Sequence, residues 1–160
     1  MSSEEEMEKA AKVFFSSPRF AVAGASSDPR KFGHRIFAWY LAHSIVPVPL
    51  NPTTASIKVR NANFDTKPSP SALSDAKDTS LSIITPPAVT SKLLKEAKEA
   101  GIRAVWLQPG SFDADVLALA KAEFPGATVG GDGGGGSEGW CVLVDGEWAM
   151  QEAGRKEGRL

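Results

Sequence analysis

Four short apolar runs in this chain each break into a cluster of small or turn-forming residues, and three of them lead on into a helix-like segment. Residues 20–23 run into Gly24-Ala25-Ser26-Ser27, residues 45–50 into Asn51-Pro52-Thr53-Thr54, residues 81–85 into Pro86-Pro87, and residues 104–107 into Gln108-Pro109-Gly110. Strands alternating with helices in this way require right-handed crossovers, and the only sheet that accommodates them is parallel and covered on both faces. The expected fold is therefore α/β, a Rossmann-like doubly wound parallel sheet of about five strands with helices on both faces.

The helices follow from spacing. Met7, Ala10, Ala11 and Phe14 recur at helical intervals behind a glutamate-rich first turn, which predicts an N-terminal docking helix within residues 1–17. Ile36, Phe37, Tyr40 and Leu41 mark the first crossover helix, and Val89, Leu93, Leu94 and Ala97 mark a second, ended by a left-handed cap at Gly101. A third helix is expected over residues 113–123, followed by a strand at 127–129. Residues 53–70 read as polar and irregular, with a short helix at 71–76. The single expected domain has its core at 20–130, and then a glycine-rich loop and a C-terminal β-hairpin at 131–150, because Asp145-Gly146 sits between two short apolar runs. A frayed tail is expected at 152–160.

Composition limits the partners. With 18 Lys and Arg against 19 Asp and Glu, there is no basic excess to neutralise a nucleic-acid backbone. The start carries glutamates where a secretory or transit segment needs cations, and no apolar run is long enough to span a bilayer. The lone Cys141 rules out an internal disulfide, and with two histidines it does not make a structural zinc site, so no metal is expected and a reducing, cytoplasmic setting fits. Self-association as a homodimer stays open.

In doubly wound sheets ligands lie beyond the carboxyl ends of the strands, where the four polar or small clusters converge. The first loop, residues 24–33, is not the dinucleotide fingerprint, since Ser26 and Pro29 stand where glycines are required. Its backbone N–H groups, the Ser26 and Ser27 hydroxyls and the Arg30 or Lys31 cation at a helix start nevertheless suit a pyrophosphate. After the second strand, Asn51-Pro52-Thr53 offers no carboxylate for a ribose diol, which disfavours NAD and leaves NADP or coenzyme A.

These clusters, in this order and over residues 20–129, resemble the small stand-alone CoA-binding proteins related to the CoA-binding N-terminal domain of the succinyl-CoA synthetase alpha subunit. The resemblance implies that Gly24, Ala25, Ser26, Ser27, Lys31, Phe32 and Gly33 hold the pyrophosphate. It places Asn51, Pro52 and Thr53 at the adenosine, Thr85, Pro86 and Pro87 at the adenine and upper pantetheine arm, and Gln108 and Gly110 further along that arm. The related domains carry a lysine two residues after the second-strand proline, where this chain has Thr54; Lys58 and Arg60 are candidate substitutes.

The implied function is binding of coenzyme A or an acyl-CoA, with no evident catalytic machinery and no second domain carrying a phosphorylated histidine. Two enzymatic alternatives remain: an NADP-binding oxidoreductase, and a Cys-dependent acyl-CoA enzyme using Cys141. Cys141 otherwise reads as a small buried residue beside Val142 and Leu143. His34 reads as an exposed helical histidine, and Trp140, next to the glycines, as core packing or a cover over ligand.

Overall fold

The computed structural model describes residues 3–155. Strands β1 (Arg19–Ala23), β2 (Val48–Leu50), β5 (Thr79–Ile83), β6 (Ala104–Leu107) and β7 (Thr128–Val129) form one sheet in the order β2-β1-β5-β6-β7, every neighbouring pair parallel. The expected five-strand doubly wound sheet is thus present. The chain leaves β1 toward β2 on one side and later returns to pair β5 on its other side, so the direction of winding reverses between β1 and β5.

Strand alternation divides the core into two layers. Phe20, Val22, Ala104 and Trp106 face a layer holding helices α1 (Ser3–Phe15), α2 (Phe32–Ala42) and α5 (Val142–Glu152). Ala21, Ala23, Leu81, Ile83, Val105 and Leu107 face the layer holding α3 (Pro87–Ala100) and α4 (Ala114–Glu123). The docking helix α1 buries Met7, Ala10, Ala11, Phe14 and Phe15, and its two phenylalanines pack edge-on against Trp106 at centroid distances of 5.5 and 5.9 Å. The serines of β5 point into this aromatic layer and are paired there. Ser82 bonds the Tyr40 hydroxyl at 2.7 Å, while Ser80 bonds Ser17 at 2.6 Å and donates to the Phe14 carbonyl at 2.8 Å. Burial pushes the Tyr40 phenol far up, so it stays neutral and serves as a structural hydrogen-bonding group.

Two hairpin expectations are corrected. The segment expected to be irregular contains one: β3 (Ser56–Val59) and β4 (Ala62–Asp65) pair antiparallel, turning at Arg60 and Asn61 with φ of 53° and 62°. Two successive positive φ values match the twist of the flanking strands, which is why so tight a turn closes here without glycine. The hairpin packs on α2 through Phe37 and Phe64, whose ring centroids lie 4.9 Å apart.

The hairpin expected around Asp145-Gly146 is instead the helix α5. Asp145 does not turn the chain; its buried carboxylate accepts from the N–H groups of Cys141 at 3.0 Å and Gly135 at 2.7 Å, closing the helix start and pinning the glycine-rich loop to it. A second orphan donor, the Val142 N–H, is taken by the Gln108 side-chain oxygen at 3.0 Å. Gly146 allows close packing: a Cβ there would lie 2.4 Å from Trp39 Cζ2.

Within the stretch expected to fray, Glu152 closes α5, and the buried Arg155 guanidinium donates to the carbonyls of Phe15 and Ser17. The remainder of that expected tail, residues 156–160, lies outside the described residues. Of the α3 residues expected to face inward, Leu94 and Ala97 are buried but Val89 is 49% exposed.

Gly146→Ala should lower unfolding stability by about 1–3 kcal/mol in a urea titration, since the overpacking against Trp39 outweighs the roughly 1 kcal/mol gain in helix propensity. A neutral or stabilising substitution would contradict the close α2–α5 packing.

Candidate functional site

The site begins where β1 ends. Gly24 takes φ of 90°, a left-handed conformation suited to glycine, and donates its N–H to the Leu50 carbonyl at 3.3 Å. The loop then crosses to α2, whose second residue, Gly33, lies against the strand end: a Cβ on Gly33 would sit 1.8 Å from the Gly24 carbonyl oxygen. No side chain fits there, and the contact aims the N-terminus of α2 at the loop.

That helix start leaves its positive end uncompensated by side chains. Its N-cap is Lys31, no side chain caps its first N–H groups, and its first turn holds no acid. The two cations of the loop have different duties. Arg30 donates through Nε and Nη2 to the Asp28 carboxylate, both at 3.1 Å, and this pairing holds the Asp28 carboxyl below its ordinary value. Lys31 is exposed and, among the described residues, its ammonium makes no hydrogen bond or ion pair.

The rest of the loop is wired in place. Ser26 Oγ accepts from the Asp28 N–H at 3.1 Å, and the Ser26 carbonyl accepts from His34 Nδ1 at 3.0 Å, so His34 is a half-buried clamp on the loop. Ser27 Oγ accepts from the Lys58 N–H at 2.9 Å, tying the β3–β4 hairpin to the loop. Asn51 Nδ2 donates to the Ala25 carbonyl at 3.1 Å, and its Oδ1 accepts from the Thr53 N–H and hydroxyl at 2.9 and 3.0 Å. Both ends of the Asn51 amide are therefore engaged in joining the first two loops.

Beside this loop, at the point where the winding reverses, opens a cleft of about 390 Å³. Gly24, Pro52 and Thr85 line it, bringing together three of the sequence-identified clusters. Its floor and walls are largely apolar: Leu50, Pro52 and Pro68 on one side, Val89 and Leu93 of α3 on the other. That size and lining suit one small organic ligand. Thr85 is fixed by a 2.8 Å bond to Thr90, and Pro86 and Pro87 begin α3 at the rim.

Sequence reasoning missed Pro68, Ser69, Val89, Lys92, Leu93 and Glu96 as lining residues. The α3 members recur every three or four residues, a helical face, but its apolar members carry the same pattern as a core-facing stripe. Nothing in the local sequence separates the two.

The fourth cluster is engaged elsewhere. Gln108 is buried, its Oε1 on the Val142 N–H and its Nε2 donating to Cys141 Sγ at 3.2 Å, while Gly110 sits in an open turn with φ of 90°. Cys141 is the N-cap of α5 and is 8% exposed. Trp140 is buried and packs against Trp106 and Trp148, both at a centroid distance of 6.2 Å. It belongs to the core and does not cover the cleft. Among the described residues no group of three or more His, Cys, Asp or Glu is arranged to hold a metal ion, and no helix is long and apolar enough to cross a membrane.

This geometry defines a doubly wound α/β domain with an anion-ready loop opening onto a ligand-sized cleft at the winding reversal. Residues 18–138 match the family model described as a CoA binding domain, and the chain belongs to that family. No curated protein matches it.

Among solved structures, a conserved hypothetical protein from Pyrococcus furiosus is similar at 26% identity and a TM-score of 0.57, over 66% of this chain and 86% of that one. A hypothetical protein from Pyrococcus horikoshii OT3 shares the fold at 19% identity and a TM-score of 0.66, covering 91% and 87% of the two chains. A Thermus thermophilus protein described as cell-free ID.343 does so at 20% identity and 0.68, covering 89% and 98%.

Gly33→Ala should destabilise the fold by about 3 kcal/mol or more, because its Cβ meets fixed backbone. Gly110→Ala, where nothing lies within 4 Å of a new Cβ, should cost only the about 1–2 kcal/mol of a left-handed alanine. Equal losses in thermal or urea unfolding would contradict the close approach.

Proposed function

We propose that the protein binds coenzyme A or an acyl-CoA across the carboxyl edge of its sheet. The pyrophosphate lies on the 24–33 loop against the start of α2, with Lys31 as its cation, and the adenine occupies the apolar cleft between Pro52 and Leu93. Coenzyme binding is what the family describes; the assignment of its parts to these residues rests on one observation above all. Lys31 stands at the N-cap of a helix start that makes no side-chain cap, and the Gly24–Gly33 contact seats that start on the strand end that lines the cleft. An anionic nucleotide satisfies all three features together.

The pantetheine arm leaves the cleft past Thr85 and Pro86 toward Gly110. Gln108 borders that path through its backbone, since its amide is committed to α5. We read the protein as a binder rather than an enzyme. Cys141, the residue with thiol chemistry to offer, is buried and receives the Gln108 amide.

Thermal unfolding with coenzyme A, acetyl-CoA, NADP, NADPH and NAD tests this. At 100 times its dissociation constant a ligand adds about 2.7 kcal/mol, and the two CoA species should raise the melting temperature while NAD does not. A shift with NADP or NADPH alone would overturn the reading. Lys31→Ala should weaken CoA binding by roughly 2- to 10-fold, the scale of an exposed charge contact; unchanged affinity would remove Lys31 from the site.

A further inference from the structure

We infer that Lys92 of α3 gives the cleft its selectivity for a nucleotide whose ribose carries its own phosphate. The inference rests on the reading that a CoA-type nucleotide lies with its base in this cleft.

Two charged residues line the cleft, Lys92 and Glu96, one helical turn apart on α3. Among the described residues no ion pair joins them, and Lys92 has no other ionic partner. Every other cation near the ligand's path is committed or lies outside the cleft. Arg30 is engaged by Asp28. Lys31 stands at the start of α2, where the pyrophosphate lies. Lys58 fixes the hairpin through its backbone, Arg60 stands at the hairpin turn, and Lys67 is bonded through its backbone to Asn51 and Pro49; none of the three lines the cleft.

The second loop contributes no charge: Asn51 spends both ends of its amide on loop contacts, and Thr53 and Thr54 are neutral. A phosphate carried on the ribose hangs from a different ring carbon than the pyrophosphate arm, so with the pyrophosphate on Lys31 at the start of α2 it calls for a second cation, one facing the cleft that holds the base. Among the residues that line the cleft, Lys92 is the cation.

Neighbouring groups narrow the position further. Val89 and Leu93, one residue from Lys92 or one turn before it, form the apolar wall for the base. Glu96 repels an anion from the far side of Lys92. The N-terminus of α3, behind Pro86 and Pro87, attracts one toward the near side. The phosphate is thereby placed between Lys92 and the start of α3, beside a base lying on Val89. The 49% exposure of Val89, an apolar side chain at the edge of a cleft, is what a base would cover.

The test compares coenzyme A with dephospho-CoA, which lacks only the ribose phosphate, by calorimetric titration. Wild-type protein should prefer coenzyme A by roughly tenfold or more, the scale of one charge-assisted phosphate contact. Lys92→Gln should bring the two affinities to within about twofold while leaving that for dephospho-CoA unchanged. Lys95→Gln makes the same charge change on an exposed residue of α3 that does not line the cleft, and should keep the wild-type preference.

A preserved preference in Lys92→Gln, or an equal loss in Lys95→Gln, overturns the inference while the CoA reading stands. Wild-type protein that binds neither nucleotide overturns the CoA reading, and the inference falls with it. Circular dichroism melts of the two surface variants should match wild type; a large drop in melting temperature for Lys92→Gln would mark it as a structural residue and count against the inference.

Discussion

The approach of Gly33 to the Gly24 carbonyl is the contact on which the rest of the site depends. An ideal Cβ would be 1.8 Å from that oxygen, so the position admits only glycine, and only glycine lets the start of α2 rest on the end of β1. This seating brings the strand end and the start of α2, which has no side-chain cap, onto one surface. The loop between them is held by side chains bonding to its own backbone and to its neighbours: Ser26 to Asp28, His34 to Ser26, Asn51 to Ala25. A loop fixed in this way loses little freedom when an anion docks, which is where preorganised sites gain affinity.

Charge is divided along the same surface. Arg30, the alternative cation to Lys31 in the sequence reading, is bidentate on Asp28 and acts as part of the loop's framework. Lys31, its neighbour, is left for the solvent side at the N-cap of α2. The cleft beyond is apolar at its centre, with Lys92 and Glu96 on one wall. Membership in the CoA binding domain family points to a CoA-type ligand, and the proposed placement of its parts follows this gradient from loop to apolar cleft.

Most of the sheet was legible because its signals are local. Runs such as residues 20–23 and 104–107, each stopped by glycine or proline, read as buried parallel strands and are buried on both faces. The two hairpin errors have one cause. Asp145-Gly146 carries the usual hairpin dipeptide, yet the helix there is fixed by Gln108, 34 residues away from Val142, and by Trp39 packed on Gly146. Arg60-Asn61 lacks the dipeptide, yet turns because the hairpin docks on Phe37 and Ser27. Tertiary contacts overrode local preference in both cases. The candidate site was half legible: the loops at the strand ends announce themselves by their small and turn-forming residues, whereas the α3 wall is ordinary amphipathic helix in sequence.

The most direct test of the central claim is backbone-amide NMR of the uniformly labelled protein during titration with coenzyme A. The account predicts that the largest shift changes fall on Gly24 to Ser27, Lys31 to Gly33, Asn51 to Thr54 and Thr85 to Leu93, with saturation at a single site. Changes concentrated instead on the apolar groove between α1 and α4, at Met7, Ala10, Phe124 and Thr128, or spread evenly with no saturation, would contradict it.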